Sequence, residues 1–155
     1  MKTFPIILIA ALTAVSGMAQ VPKSQMFVYQ GFGSNYGTSF GHTGGGAEAA
    51  VWKGITAGAD VGAIYPFRAM AEVFGVLNVN GSYHFLAGRK GKWDPFVTGG
   101  YSLFFRQGVA NGANYGGGVV YWVKPRMGIR AEFRNQQYSV NERGFPEFRI
   151  GVAFH

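Results

Sequence analysis

In the stretch "MGIRAEFRNQQY", Arg130, Glu132 and Arg134 occupy every second position, with Ile129, Ala131 and Phe133 between them. Guanidiniums flanking a carboxylate hold one another's charge through paired hydrogen bonds. Glu48, Asp60 and Glu132 are better read as counter-ions to Arg130, Arg134 and Arg149 than as a general acid and base. Ser82 and His84 are also two residues apart, and a hydroxyl beside an imidazole is the minimum for a nucleophile with its base. His42, His84 and His155 show no metal-ligand spacing, and there is no cysteine. Neither metal, disulfide nor cofactor is implied. "GFGSNYG" has the wrong glycine spacing for a dinucleotide fingerprint and reads as a flexible surface loop. Asn80-Gly81-Ser82 matches a glycosylation acceptor by chance, since it falls inside a strand pattern.

The elements that would position these residues are strands. A period of two sends Arg130, Glu132 and Arg134 to one face of a strand and the apolar set to the other, whereas a helix would scatter both. Composition points the same way: 25 glycines, 14 phenylalanines and 8 tyrosines in 155 residues favour strands and turns. Fourteen basic residues stand against seven acidic ones, a formal charge of +7. That excess suits an anionic membrane surface or nucleic acid, and position decides between them. Lys53, Arg89, Lys90, Lys92, Lys124 and Arg126 all fall in short connections, which argues against a nucleic-acid partner. Contact with lipid phosphates is one use for them; solvation and edge protection is another.

The amino terminus reads as a cleavable export signal over residues 1–19. Lys2 supplies a positive start, Phe4 to Val15 an apolar stretch, and Gly17 and Ala19 small residues before Gln20. A membrane anchor wants about 20 apolar residues, more than this run offers. The remainder, 20–155, forms one domain. No later segment has the length and continuity of a transmembrane helix.

Eight strand-like segments follow: 26–33, 43–51, 55–65, 76–87, 93–105, 113–123, 127–138 and 147–154. Most approach the roughly 9 to 11 residues with which a tilted strand crosses a bilayer. Alternation runs through Asn80-Gly81, so that hairpin signal is read as strand. The connections alternate between brief ones and longer ones near 34–42, 66–75, 106–112 and 139–146, as in membrane barrels with short turns on one rim and loops on the other. If the apolar faces meet lipid, Glu48, Asp60 and Glu132 face Arg130, Arg134 and Arg149 in the lumen, three of each sign. A narrow eight-stranded barrel needs that balance. Aromatics gather near both rims: Trp52, Phe85, Trp93, Tyr121, Trp122 and Phe154 at one, Tyr65, Phe67, Phe104, Phe105, Tyr115 and Tyr138 at the other. Parity places Trp52 and Trp122 inward.

"GGGVVYWVKPRMGIRAEFRNQQY" resembles the penultimate hairpin of small bacterial outer-membrane β-barrel proteins of the OmpA-like kind. "WDPFVTGGYSLFF" looks like the preceding strand and "FRIGVAFH" like an aromatic-ended closing strand. The resemblance implies an outer-membrane location and a carboxy-terminal signal, Phe154, read by the barrel assembly machinery; His155, which follows it, is expected to be dispensable. The peptidoglycan-binding activity of longer members is not carried over.

The reading is an all-β, eight-stranded antiparallel up-and-down transmembrane barrel, not an enzyme. Its role is structural, adhesive or interactive, with outer-membrane lipid and an extracellular loop ligand as partners and the lumen plugged by ion pairs. The alternative is a soluble lipocalin-like barrel binding a small apolar ligand. Below both ranks a lipid-modifying enzyme using Ser82 and His84, residues that would face the lumen rather than lipid.

Overall fold

Alternating side chains with turns between them leave each segment one greasy and one polar face, and closing the sheet on itself satisfies every strand edge. The structure, a computed structural model, describes residues 24–85, 91–137 and 144–155. The export signal, Arg89, Lys90 and Tyr138 lie outside the described residues. Eight strands form the wall: β1 Gln25–Asn35, β2 Thr38–Trp52, β3 Ile55–Pro66, β4 Phe74–His84, β5 Trp93–Phe105, β6 Val109–Lys124, β7 Met127–Gln137 and β8 Phe145–Phe154. Each pairs antiparallel with its neighbour in sequence, and β1 pairs with β8, so the sheet is a closed barrel. A single 3-10 turn, Met70–Glu72, interrupts the β3–β4 connection.

The faces follow the alternation. Val28, Val61, Val79, Phe133 and Ile150 point outward and are exposed, while Asp60, Asn78, Arg130, Glu132, Arg134 and Arg149 point inward and are buried. A soluble cup would place these apolar side chains around an inner cavity, so the lipocalin-like alternative does not describe this barrel. β4 runs unbroken through Asn80-Gly81. β5 and β6, apolar or glycine-rich on both faces in sequence, turn Phe96, Thr98, Ser102 and Phe104, and Asn114 and Val120, to the interior.

Three expectations are corrected. The presumed loop over 34–42 is a strand hairpin: β1 continues to Asn35, β2 starts at Thr38, and only Tyr36 and Gly37 turn, with φ of 47° and 77°. Positive φ at both central residues is the two-residue turn whose twist matches the strands it joins. "GFGSNYG" is therefore strand and turn rather than free loop. The contrast between the rims is also smaller than expected among the described residues: Tyr36–Gly37 and 106–108 at the loop end are nearly as short as Lys53–Gly54 and Pro125–Arg126 at the other, and only 67–73 is longer.

The third correction concerns aromatics. A β-bulge between Ala50 and Trp52 inserts Val51 as an extra residue and pairs Trp52 with outward Ile55. Trp52 is consequently exposed on the outer wall, against its sequence parity. Phe104 goes the other way, buried inside rather than on the girdle. Trp122 keeps its inward parity and packs against an interior cluster of Phe27, Tyr29, Phe96, Val120 and Ala153.

Candidate functional site: the filled lumen

Side chains that share the inner face of a narrow barrel are forced into contact, and the strands fix which ones meet. β7 aligns Arg130, Glu132 and Arg134 along one wall. Glu132 bridges its two neighbours: Arg130 Nη2 lies 3.0 Å from Glu132 Oε2, and Arg134 Nε donates to Glu132 Oε1. β2 and β3 bring the other carboxylates across the lumen. Arg130 Nη2 is 3.0 Å from Glu48 Oε1, and Arg134 Nη1 is 2.9 Å from Asp60 Oδ2. Asp60 also reaches Arg149 Nη1 on β8, at 3.4 Å. The six residues read from sequence as a lumen network thus lie in one connected set of ion pairs.

The set is larger than the sequence reading had it. Glu147 accepts from Arg149 Nη2 at 2.6 Å and from Gln136 Nε2 at 2.8 Å, and lies 2.8 Å from His42 Nδ1. Its spacing to Arg149, E-x-R, repeats that of Glu132 to Arg134 and was the available signal. His84 sits between Asp94 Oδ2 at 2.9 Å and Glu48 Oε2 at 3.1 Å. Tyr29 donates to Asp60 Oδ1, as do Asn78 to Oδ1 and Asn80 to Oδ2. A continuous polar chain therefore runs from Asp94, at the short-turn end of β5, to Glu147 and His42 beneath the loops. Removing a charge from water costs several kcal/mol unless partners replace its hydration, which is why each buried acid here has several.

Room for this chain comes from glycine. A Cβ on Gly58 would come within 2.8 Å of Glu48 Cγ, and one on Gly62 would overlap the His42 ring. Apolar side chains finish the filling. The Arg130 guanidinium lies over the rings of Phe27 and Phe96, at 4.3 and 4.1 Å from their centroids. At the loop end Phe40, Ile64, Val76, Phe104 and Phe145 form a buried apolar layer above the ion pairs. Phe145 meets Phe40 and Phe104 nearly edge to face, with centroids 6.1 and 5.6 Å apart. No sequence pattern flagged this cap, because alternation assigns apolar residues to the outside.

The arrangement holds charge in place and offers little reactive chemistry. Ser82 Oγ donates to Thr98 Oγ1 at 3.0 Å, while both His84 nitrogens face carboxylates, so Ser82 and His84 do not form a nucleophile and base pair. Among the described residues no group of three or more His, Asp or Glu could hold a metal ion. Phe154 is separate from the lumen. It points outward at the seam, aligned with Met127 of β7 and Met26 of β1.

No protein-family model and no curated protein matches the sequence. Solved structures do match the fold. The N-terminal β-barrel domain of Pseudomonas aeruginosa OprF aligns with a TM-score of 0.70 at 15% identity, covering 87% of this chain and 98% of its own. A barrel from the de novo design of transmembrane β-barrels gives 0.63 at 22% identity, with 88% and 98% covered. Neisserial surface protein A gives 0.60 at 15% identity, with 84% and 94% covered. Outward apolar faces, an ionic interior and eight closed strands define a transmembrane-type β-barrel. The chain has the eight-stranded fold of bacterial outer-membrane barrels. A designed barrel matches on the same terms as the natural ones, so the likeness follows the wall and carries no ligand or reaction with it.

Proposed function

We propose that the protein is a bacterial outer-membrane barrel that acts as a sealed anchor, holding its loop end outside the cell as an interaction surface. The observation that carries this reading is the filled interior: an ion-pair chain joined across the lumen and capped by the Phe40, Phe104 and Phe145 layer. A hydrophobic constriction resists wetting and blocks ion passage. At the loop end Tyr36, Phe67, Met70 and Val109 are exposed, more apolar surface than a solvated hairpin end requires. In this reading outer-membrane lipid surrounds the wall, the assembly machinery reads Phe154 during insertion, and an extracellular ligand docks on the exposed loop-end side chains.

Two measurements on the purified protein test it. Unboiled samples should migrate differently from boiled ones in a detergent gel and fractionate with outer membranes. In planar bilayers the wild-type protein should show no conductance steps, whereas Phe40→Ala with Phe145→Ala should open a path. Stepwise conductance by the wild type would overturn the sealed anchor in favour of a pore.

A further inference from the structure

Among the described residues the exposed positive charge is concentrated on one rim. Lys53, Lys92, Lys124 and Arg126 are all exposed at the short-turn end. Among the described residues no exposed side-chain carboxylate accompanies them there, because Glu48 and Asp94 turn inward to His84. At the opposite rim the described exposed charges are Arg68, Glu72 and Arg106.

This rim is also shaped by its backbone. The barrel has two register shifts, Ala50/Trp52 and Trp122/Lys124, and each immediately precedes a short turn bearing a cation. The first swings Trp52 to the outer wall, with Lys53 Nζ 5.2 Å from its ring centroid. The second pairs Lys124 with Met127, whose strand position is outward, so the ammonium leaves the lumen side on which Trp122 remains. Bulges re-aim side chains at barrel rims. Trp93 follows Lys92 and packs against Tyr121, ring centroids 4.7 Å apart. Two of the short turns thus set a cation beside an outward tryptophan in the chain, Lys53 with Trp52 and Lys92 with Trp93, while Lys124 and Arg126 add charge at the third, where Trp122 faces inward.

We infer that this rim binds the phosphate headgroups of anionic phospholipids, Lys53, Lys92, Lys124 and Arg126 supplying the charge and Trp52 and Trp93 the depth. The inference rests on the membrane-barrel reading and adds a lipid preference confined to one leaflet. A basic residue near an anionic surface contributes about fivefold in affinity, so four together give a preference that salt removes.

The chain's own tryptophans report on it, since Trp52, Trp93 and Trp122 all lie at this end. The protein is reconstituted in phosphatidylcholine vesicles containing brominated phosphatidylglycerol or, in parallel, brominated phosphatidylcholine, and quenching is followed against lipid fraction. Half-maximal quenching is expected at a phosphatidylglycerol fraction at least fivefold below that for phosphatidylcholine, with the two converging in 0.5 M salt, where screening is roughly complete within a few ångströms. The variant K53Q/K92Q/K124Q/R126Q should quench alike with both lipids, and R68Q/R106Q on the opposite rim should match wild type. If the fourfold variant fails to fold, K92Q and K124Q singly should each lose about fivefold of the preference. Equal quenching of wild type by the two lipids, or an undiminished preference in the rim variants, overturns the inference. Equal quenching together with binding of soluble polyphosphate overturns it in favour of a soluble polyanion. No quenching by either lipid, with no heat-dependent gel shift, would instead overturn the membrane reading beneath it.

Discussion

The imidazole of His155 stacks on the indole of Trp122, with ring centroids 3.8 Å apart and planes inclined by 18°. The His155 backbone N–H also donates to Arg126 O, at 3.2 Å. His155 therefore extends the β8–β7 pairing by one bond and reaches Trp122 on β6, two strands away, and the expectation that it is dispensable is revised. An aromatic stack of this kind is worth about 1 kcal/mol. His155→Ala should lower the unfolding free energy in lipid vesicles by about that amount, measured by urea titration of tryptophan fluorescence. Phe154→Ala, by contrast, should reduce the quantity of heat-modifiable protein in outer-membrane fractions. Equal yields from Phe154→Ala and wild type would remove Phe154 as an assembly signal.

Alternation made the wall legible from sequence, because a strand with one buried face writes its parity into every second residue. "RAEFR" showed its ion pairs directly, since Glu132 and its two arginines share one strand. Partners across the barrel could not be read so easily: Asp60 and Arg134 are 74 residues apart and meet only when the sheet closes. The hairpin at Tyr36-Gly37 was hidden because a glycine-rich stretch carries little alternation and tyrosine rarely takes positive φ. Trp52 was misplaced by a bulge, whose single extra residue inverts parity without leaving a composition mark. The Phe40, Phe104 and Phe145 cap escaped notice for a different reason. Apolar residues at strand ends can point inward as well as outward, and only the closed register distinguishes the two.

Glu132 is the acid between Arg130 and Arg134, and deleting one partner of a buried pair leaves the others uncompensated. Glu132→Ala should cost about 3 to 5 kcal/mol in unfolding free energy. Glu132→Gln keeps the shape and one acceptor, so it should cost less. An unchanged free energy for Glu132→Ala would place that carboxylate in solvent, against its 2% exposure.

Gly62 pairs with Gly44 across β2–β3 and lies under the ring of His42, two residues along, so an added Cβ would overlap that ring and stand 2.8 Å from Thr43 O. The backbone oxygen cannot yield without breaking the strand pairing, so the ring must shift and disturb its contacts with Tyr29 and Glu147. Gly62→Ala should destabilise by about 1 to 3 kcal/mol, the usual range for overfilling a packed interior. Gly81→Ala is the control, because its Cβ would meet nothing closer than Thr56 O at 4.0 Å on the outer wall. Its unfolding midpoint should stay near that of wild type, and equal losses from the two would mean that inner packing is not the cause.

The assignment of faces meets its sharpest test at Val79, the middle residue of β4, which points outward and is 55% exposed. Two solvents make opposite demands on that position. In water an exposed arginine is harmless, and replacing an exposed valine with it changes stability by less than about 0.5 kcal/mol. In a bilayer the same side chain lies near the hydrocarbon midplane, where an arginine on the lipid face of a barrel costs about 2 to 4 kcal/mol. Position along the strand separates the two cases further. Trp93 opens β5 at the short-turn rim, so Trp93→Arg would place its charge near headgroups and cost about 1 kcal/mol or less beyond the loss of the ring itself. Val79→Arg should therefore reduce the fraction of folded protein in vesicles, with an unfolding free energy lowered by roughly 2 to 4 kcal/mol. A Val79→Arg protein that folds in vesicles as stably as wild type would take the outward apolar face away from lipid, and the membrane barrel with it.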